Sequence, residues 1–268
     1  MTPAPAMKDD GYLNIYDGKL RATLVPYLWV PNLNGSLNFN IPTLPHLPTG
    51  GGTATANFHV GPNQLLSALN AAFMGSAEVR KGDWALDIDY IGLSVSSKAG
   101  TITAITGPHG RLDIPVDATI DTKLSGTVWQ VAPAFTLTHG PSGAIDIFAG
   151  VRGLNSTATG TWNLTVGNND IINRTGTASG GITFSDFILG VRGNLNLGTP
   201  RWSIPYLLDT GGLNDNTTYE GRVGLSYNAR HGQSIFLDYR SLQYNGGPNR
   251  TLQVIRFSGP MLGYAFEI

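Results

Sequence analysis

Apolar and polar residues alternate with a period of two along most of the chain. In the segment WALDIDYIG one side holds Trp84, Leu86, Ile88 and Tyr90, and the acidic residues fall on the other side. Because successive side chains of a strand point to opposite faces, this alternation predicts strands with one apolar and one polar face. The same division recurs in WQVAPAFTL, RWSIPYLLD and YEGRVGLSY, where charged residues keep to the polar side.

The alternating segments predict an all-β, antiparallel chain of about ten strands. We place these strands at 21–41 (one long, kinked strand), 70–80, 84–97, 121–138, 143–163, 180–198, 201–211, 217–230, 233–245 and 251–268. Some connections are short, such as RKGD, HGPSG, LGTPR and RHGQ, whereas 42–69, 98–120 and 164–179 are long. Short turns at one end and long hairpins at the other are typical of outer-membrane β-barrels.

We therefore predict a single closed transmembrane β-barrel over residues 21–268, with short periplasmic turns and long extracellular hairpins. Residues 1–20 would form an N-terminal periplasmic segment. Strand counts of eight or twelve stay open. Within the first long connection, GPNQLLSALN is long enough for about two helical turns, either as a constriction folded into the lumen or as a helix covering apolar surface at the rim.

Composition excludes several classes of function. Of the 268 residues 13% are charged, the net charge is −1, and lysine and arginine form no basic patch, so we expect no nucleic-acid partner. The chain has no cysteine, which rules out disulfides and thiolate metal sites. No apolar run reaches the length of about 18 residues that a transmembrane helix needs.

An octet is repeated forty residues apart, as DIFAGVRG at 146–153 and DFILGVRG at 186–193. The acid and the base are six positions apart, so they share a strand face but cannot pair with each other. On antiparallel neighbours Asp146 comes level with Arg192, and Arg152 with Asp186, because both pairs of residue numbers sum to 338. This register predicts a hairpin centred at residue 169 and two inward ion pairs; coincidental composition is the alternative.

The last strand, PMLGYAFEI, carries apolar and aromatic residues on one parity up to residue 268. Trp84, Trp202 and Tyr227 lie beside short turns, where aromatic girdles of membrane barrels occur. These features favour a membrane barrel over a soluble β-sandwich or a lipocalin-like binder, which stay as alternatives.

Several segments resemble uncharacterised bacterial outer-membrane proteins of the outer membrane protein beta-barrel domain type. The matching segments are YLWVPNLNGSL, FMGSAEVRKGDWALDIDYIGLS, DIFAGVRG, DFILGVRG, FLDYRSLQY and SGPMLGYAFEI. The resemblance implies a barrel in contact with outer-membrane lipids, and a C-terminal strand that signals to the barrel-insertion machinery. That signal usually ends in Phe, whereas here it comprises Leu262, Tyr264, Phe266 and Ile268. The resemblance implies no activity.

The charged residues of the polar parity are the candidate functional set. We expect them to line the lumen, to stiffen the wall and to select solutes by charge if a path exists. The set is Glu78, Arg80, Asp87, Asp89, Asp146, Arg152, Asp186, Arg192, Arg222, Asp238 and Arg240. Asp87 and Asp89 are also a candidate carboxylate pair, although we expect Arg80 or Arg240 to neutralise them.

Catalytic and metal-binding signals are weak. His46, His59, His109 and His139 are scattered without metal-ligand spacing, so we predict neither metal nor cofactor. The string YNARHGQS resembles the residues of an outer-membrane phospholipase, but its His231 falls in a short, periplasmic turn. We predict a non-enzymatic outer-membrane protein with a structural, surface-binding or narrow-channel role; the alternative is an outer-membrane hydrolase acting on lipid or peptide.

Overall fold

A computed structural model describes residues 15–40, 53–101, 105–106, 113–114, 117–166, 172–198, 201–229, 232–246 and 252–268. The strands are β1 (Leu20–Trp29), β2 (Asn32–Asn40), β3 (Thr53–Val60), β4 (Leu69–Lys81), β5 (Trp84–Thr101), β6 (Ile105–Thr106), β7 (Asp113–Ile114), β8 (Asp117–Gly140), β9 (Gly143–Val166), β10 (Ile172–Asn196), β11 (Trp202–Leu213), β12 (Asn216–Asn228), β13 (Gln233–Asn245) and β14 (Leu252–Glu267). One helix, α1 (Pro62–Ala68), follows β3. Within these ranges no helix has both the length and the apolar character needed to cross a membrane.

Ten strands form a closed antiparallel barrel, as the alternation predicted. Their order is β1-β4-β5-β8-β9-β10-β11-β12-β13-β14, and β14 pairs back to β1. The predicted kinked strand 21–41 is β1 followed by β2, with the break at Val30 and Pro31. Both halves run along β14, where Trp29 lies opposite Met261 and Asn32 opposite Ser258.

The prediction missed strand β3, which pairs with β2 as an additional strand beside the barrel. Its sequence TATANFHV follows a Pro/Gly-rich run and carries few large apolar residues, so the alternation was too weak to detect. The expected helical turns are present in α1, which contacts β5 and buries Leu65.

The two ends of the barrel differ in their connections. Residues 82–83, 141–142, 197–201 and 229–232 join strands at one end, which we call the short-turn end. At the opposite, long-hairpin end, β8, β9 and β10 are 24, 24 and 25 residues long, whereas β11, β12 and β13 have only 12, 13 and 13. The wall is therefore much taller on one side.

The register predicted from the repeated octet is confirmed. Asp146 lies opposite Arg192 and Arg152 opposite Asp186, and the same register holds from Gly143 opposite Leu195 to Val166 opposite Ile172. The predicted turn centre lies outside the described residues. Strand β10 begins eight residues earlier than the predicted 180, because INRTGTAS has no apolar face to reveal it.

Glycines in the octets admit large neighbours. A β-carbon at Gly153 would overlap the Trp129 ring, and one at Gly193 would lie 2.7 Å from the Tyr206 hydroxyl. On the inner face, a β-carbon at Gly190 would lie 2.6 Å from the Phe148 ring. Three of the four glycines in the octets therefore lie against aromatic side chains, in keeping with aromatic side chains that cover strand glycines.

The outer face of the barrel is apolar. Large hydrophobic side chains stand exposed on every barrel strand, including Phe187 (62% exposed), Leu208 (60%) and Leu237 (59%). Near the short turns, Trp84 packs against Phe135 (ring centroids 5.0 Å apart) and Trp202 against Tyr227 (4.9 Å). The hydrophobic residues of the alternating pattern thus face outward, and the charged residues face inward.

Candidate functional site

The barrel wall directs all eleven predicted lumen charges inward. Seven are buried, namely Arg80, Asp89, Asp146, Arg152, Asp186, Asp238 and Arg240. The other four are partly buried, namely Glu78, Asp87, Arg192 and Arg222. Their positions follow from strand parity, because each strand that carries them packs its other parity outward.

Arg152 lies at the centre of one group of buried polar side chains. Its guanidinium donates to Gln130 Oε1 (2.7 and 3.0 Å), Asp209 Oδ1 (2.8 Å) and Glu220 Oε2 (2.6 Å). Thr218 Oγ1 lies 3.4 Å from Nη1. These residues, which we call the Arg152 cluster, come from β8, β9, β11 and β12. The prediction that Arg152 pairs with its register neighbour Asp186 missed these partners across the lumen.

Arg240 forms the second group, the Arg240 cluster, with Asp89, Tyr27 and Glu220. Its Nη2 donates to Asp89 Oδ2 at 2.7 Å, and its Nε lies 2.8 Å from Glu220 Oε1. Tyr27 donates its hydroxyl to Asp89 (2.6 Å) and accepts from Arg240 (3.1 Å). Because Glu220 contacts both Arg152 and Arg240, one carboxylate connects the two clusters.

The third group, the Arg192 cluster, lies nearer the short-turn end. Arg192 contacts Glu78, Asp87 (2.8 Å) and Asp146 (3.5 Å), so the predicted Asp146–Arg192 pair is formed. Arg80 binds the same acids, with Asp146 at 2.6 Å and Glu78 at 2.8 Å. Asp87 and Asp89 are thus neutralised by different arginines, Arg192 and Arg240. A separate pair joins Arg222 to Asp238 at 3.4 Å.

Sequence reasoning missed Asp209 and Glu220 as members of the site. Both lie on the polar side of their strands, as the predicted residues do. Their role in the site depends on which side chains they contact across the lumen, and the sequence does not show this. With them, the set comprises eight carboxylates and five guanidinium groups. Each arginine contacts at least one acid, which compensates part of the large desolvation cost of burying charge.

An apolar layer closes the lumen on the long-hairpin side of the ionised residues. Leu154, Leu242 and Ile91 each lie two positions beyond a cluster member, on strands running toward that end. The full set is Trp29, Leu33, Met74, Ile91, Val128, Leu154, Phe184, Leu242, Tyr244, Ile255, Phe257 and Met261. Leu242, Tyr244 and Met261 have no exposed surface at all. The layer joins side chains from nine strands in one cluster of contacting groups.

A cavity of about 320 Å³ remains among the charged side chains. Its lining includes Asp87, Arg222 and Asp238, and it extends past Ser226 and Ser234 to Ile15. Because Ser226, Ser234 and Ile15 lie toward the short turns, the cavity is on that side of the apolar layer. The structure therefore separates a polar chamber from the long-hairpin end.

Residues ahead of β1 pack beneath the barrel. Tyr16 stacks on His139 with ring centroids 4.1 Å apart, and the Arg80 guanidinium lies 5.2 Å from the Tyr16 ring centroid. Burial raises the pKa of Tyr16 to about 12. Asp17 accepts a hydrogen bond of 2.7 Å from Arg21, which lowers the pKa of Asp17.

The structure describes two of the five histidines. His59 lies 2.6 Å from the Asn34 side-chain oxygen, and His139 lies 3.7 Å from Asp83. His46, His109 and His231 lie outside the described residues. Within the described ranges, no group of three or more histidine, aspartate and glutamate residues is arranged to hold a metal ion.

Comparison with known proteins finds relatives in structure only. No protein-family model and no curated protein matches the sequence. The outer membrane protease OmpT from Escherichia coli matches with a TM-score of 0.52 and 7% identity, over 94% of this chain and 98% of that chain. Neisserial surface protein A has a TM-score of 0.29 and 13% identity, over 91% and 97% of the chains. OpdK from Pseudomonas aeruginosa has a TM-score of 0.25 and 11% identity, over 93% and 99%.

These structural neighbours are bacterial outer-membrane β-barrel proteins. At 7% identity, the likeness to OmpT shows the fold alone.

Proposed function

We propose that this chain is a non-enzymatic bacterial outer-membrane protein with a closed lumen, which displays the tall β8–β10 wall at the cell surface. The apolar layer across the lumen carries the proposal, because a path for solutes would have to cross fully buried side chains such as Leu242, Tyr244 and Met261. Water and ions do not enter tightly packed apolar regions. A structural or surface-binding role therefore fits better than a channel.

The outer face supports the membrane location. On β5 the outward residues are apolar from Trp84 to Tyr90 and change at Gly92 and Ser94. Six steps at about 3.3 Å cover about 20 Å along the strand, or about 15 Å of height at a tilt of about 40°. This is more than half of the apolar band of about 25 Å typical of outer-membrane barrels. We refer to this zone as the apolar band.

The C-terminal residues support assembly by the barrel-insertion machinery. Leu262 and Tyr264 are exposed on the outer face, and the Phe266 ring stacks on Tyr264 with centroids 5.9 Å apart. Ile268 is 70% exposed at the end of the strand. An outward apolar signature of this kind is what the resemblance to the outer membrane protein beta-barrel domain type implies, and we propose membership of that kind.

Membrane fractionation and heat-modifiable gel mobility test the barrel and its location. We expect the chain in the outer-membrane fraction, with a mobility shift on boiling. Planar-bilayer recording then tests the closed lumen, with an established porin as the positive control. We expect no stepwise current from the purified chain, and a reproducible conductance would refute the closed lumen. Cleavage of lipid or peptide by the purified protein would instead support the hydrolase alternative.

A further inference from the structure

A groove of about 580 Å³ crosses the outer face of β4, β5, β8, β9 and β10, on the side of the tall wall. Its volume falls within the range of about 300–1,000 Å³ typical of small-molecule sites. Cross-strand register explains its shape. One row of opposed residues runs Phe73, Gly92, Thr127, Asn155 and Thr183.

The next row toward the long-hairpin end adds further hydroxyl groups. Ser94, Ser125 and Thr157 lie opposite one another on successive strands, and Gly181 ends the row. Parity places both rows on the outer face. Small side chains leave this part of the wall recessed, and a β-carbon at Gly181 would approach no atom more closely than 3.8 Å.

The lining of the groove is neutral and amphipathic. It contains hydroxyl, amide and backbone groups, and none of the residues that line it is charged. At one end Phe73 is 68% exposed and packs against Tyr90, with ring centroids 6.0 Å apart. Neutral hydrogen-bonding groups beside exposed aromatic rings suit a saccharide, whose hydroxyls form hydrogen bonds and whose C–H faces pack on rings. A phosphate would find no cationic partner here.

The groove lies directly beyond the apolar band. On the same strands, Ile88, Val131 and Leu189 stand exposed one or more outward positions nearer the short-turn end. A molecule that covers both surfaces must be apolar at one end and polar but uncharged at the other. We propose that the groove binds the uncharged sugar headgroup of a glycolipid whose acyl chains lie on the apolar band. This inference rests on the proposed membrane orientation.

Native mass spectrometry of the full chain in nanodiscs tests the site. The nanodiscs contain phosphatidylcholine with about a tenth of digalactosyl diacylglycerol as the probe, and the readout is the lipid retained after release. We expect enrichment of the galactolipid over phosphatidylcholine. Gly181→Leu, which fills the recess, and Asn155→Ala, which removes an amide, should each reduce this enrichment by up to about tenfold. The matched control Thr210→Ala removes an exposed hydroxyl from the outer face of β11 and should change nothing.

Three outcomes would overturn the proposal. The first is equal retention of both lipids by the wild-type barrel, and the second is unchanged enrichment in both groove variants. Displacement of the galactolipid by an equal concentration of free digalactose would identify a soluble glycan as the occupant instead. Heat-modifiable mobility and fractionation of the same samples distinguish the two proposals. A barrel that is folded and located in the outer membrane but fails to retain the galactolipid counts against the groove alone.

Discussion

Replacement of Arg152 by methionine is the sharpest test of the buried ionic clusters. Arg152 has no exposed surface and donates to Gln130, Asp209 and Glu220. Methionine preserves most of the volume but leaves the two carboxylates without this cation. Removing one partner of a buried pair typically costs about 3–5 kcal/mol. We expect Arg152→Met to lower the free energy of unfolding by about that amount.

Removal of Asp209 together with Arg152 should restore part of the loss. Asp209 receives two hydrogen bonds from Arg152, whereas Glu220 keeps its ion pair with Arg240 in the variant. The double variant Arg152→Met/Asp209→Asn should therefore show a coupling energy of about 1–3 kcal/mol. Urea unfolding in phospholipid vesicles, followed by tryptophan fluorescence and by the heat-modifiable band, measures all four corners of this cycle.

Arg222→Met is the matched control. The Arg222 side chain is 29% exposed, and its ion pair with Asp238 is 3.4 Å long. Solvent reaches Arg222 but not Asp238, which is buried, so we expect a cost of about 1–3 kcal/mol, smaller than that of Arg152→Met. If Arg152→Met costs no more than Arg222→Met, the buried clusters do not stabilise the wall and the reasoning is refuted.

Three further predictions concern packing, titration and assembly. Gly153→Ala should displace the Trp129 ring and cost about 1–3 kcal/mol in urea unfolding, whereas Gly181→Ala, where a β-carbon would approach nothing within 3.8 Å, should cost much less; equal costs would contradict the packing argument. Because burial raises the pKa of Tyr16 from 10.0 to about 12, the stability that Tyr16 contributes should be fully present below pH 10 and lost as the pH rises through about 12. Absorbance at 295 nm checks this, with Tyr16→Phe as the control, and an alkaline transition that Tyr16→Phe leaves unchanged would exclude Tyr16. Phe266→Ala should reduce the heat-modifiable fraction assembled in cells, whereas Leu252→Ala, at the far end of the same strand, should not; equal assembly of all forms would mean that Phe266 is no part of an insertion signal.

The alternation in the sequence was sufficient to predict the barrel because each strand has an apolar face that points outward and a polar face that points inward. Strand β13 occupies Gln233–Asn245, as predicted, since Ile235, Leu237 and Tyr239 alternate with the charged residues Asp238 and Arg240. The prediction failed where large apolar residues do not mark one face. The first eight residues of β10 lack an apolar face, and the apolar face of β3 begins with two alanines, so pairing with a neighbour is what reveals both as strands.

The candidate site was predictable as a set of inward charges but not as a network. Register along one hairpin follows from a sequence repeat, which is why Asp146 and Arg192 were paired correctly. Contacts across the lumen depend on the curvature of the barrel wall and on the length of the side chains. The alternation of polar and apolar residues predicts neither. Asp209 and Glu220 are therefore central in the structure but inconspicuous in the sequence.

The closed lumen and the uneven wall have a common physical basis. Ion pairs inside a barrel gain most when water is excluded from them, and the apolar layer supplies that exclusion on the long-hairpin side. Trp29 shows the connection directly, because its ring belongs to the apolar layer and lies 5.0 Å from the Arg240 guanidinium. Ion pairs across the lumen connect opposite sides of the barrel and stabilise its wall. Strands β8–β10 can therefore extend well beyond the shorter strands opposite. The proposed surface role, without conduction, agrees with this arrangement, since any opening would separate charges from their partners.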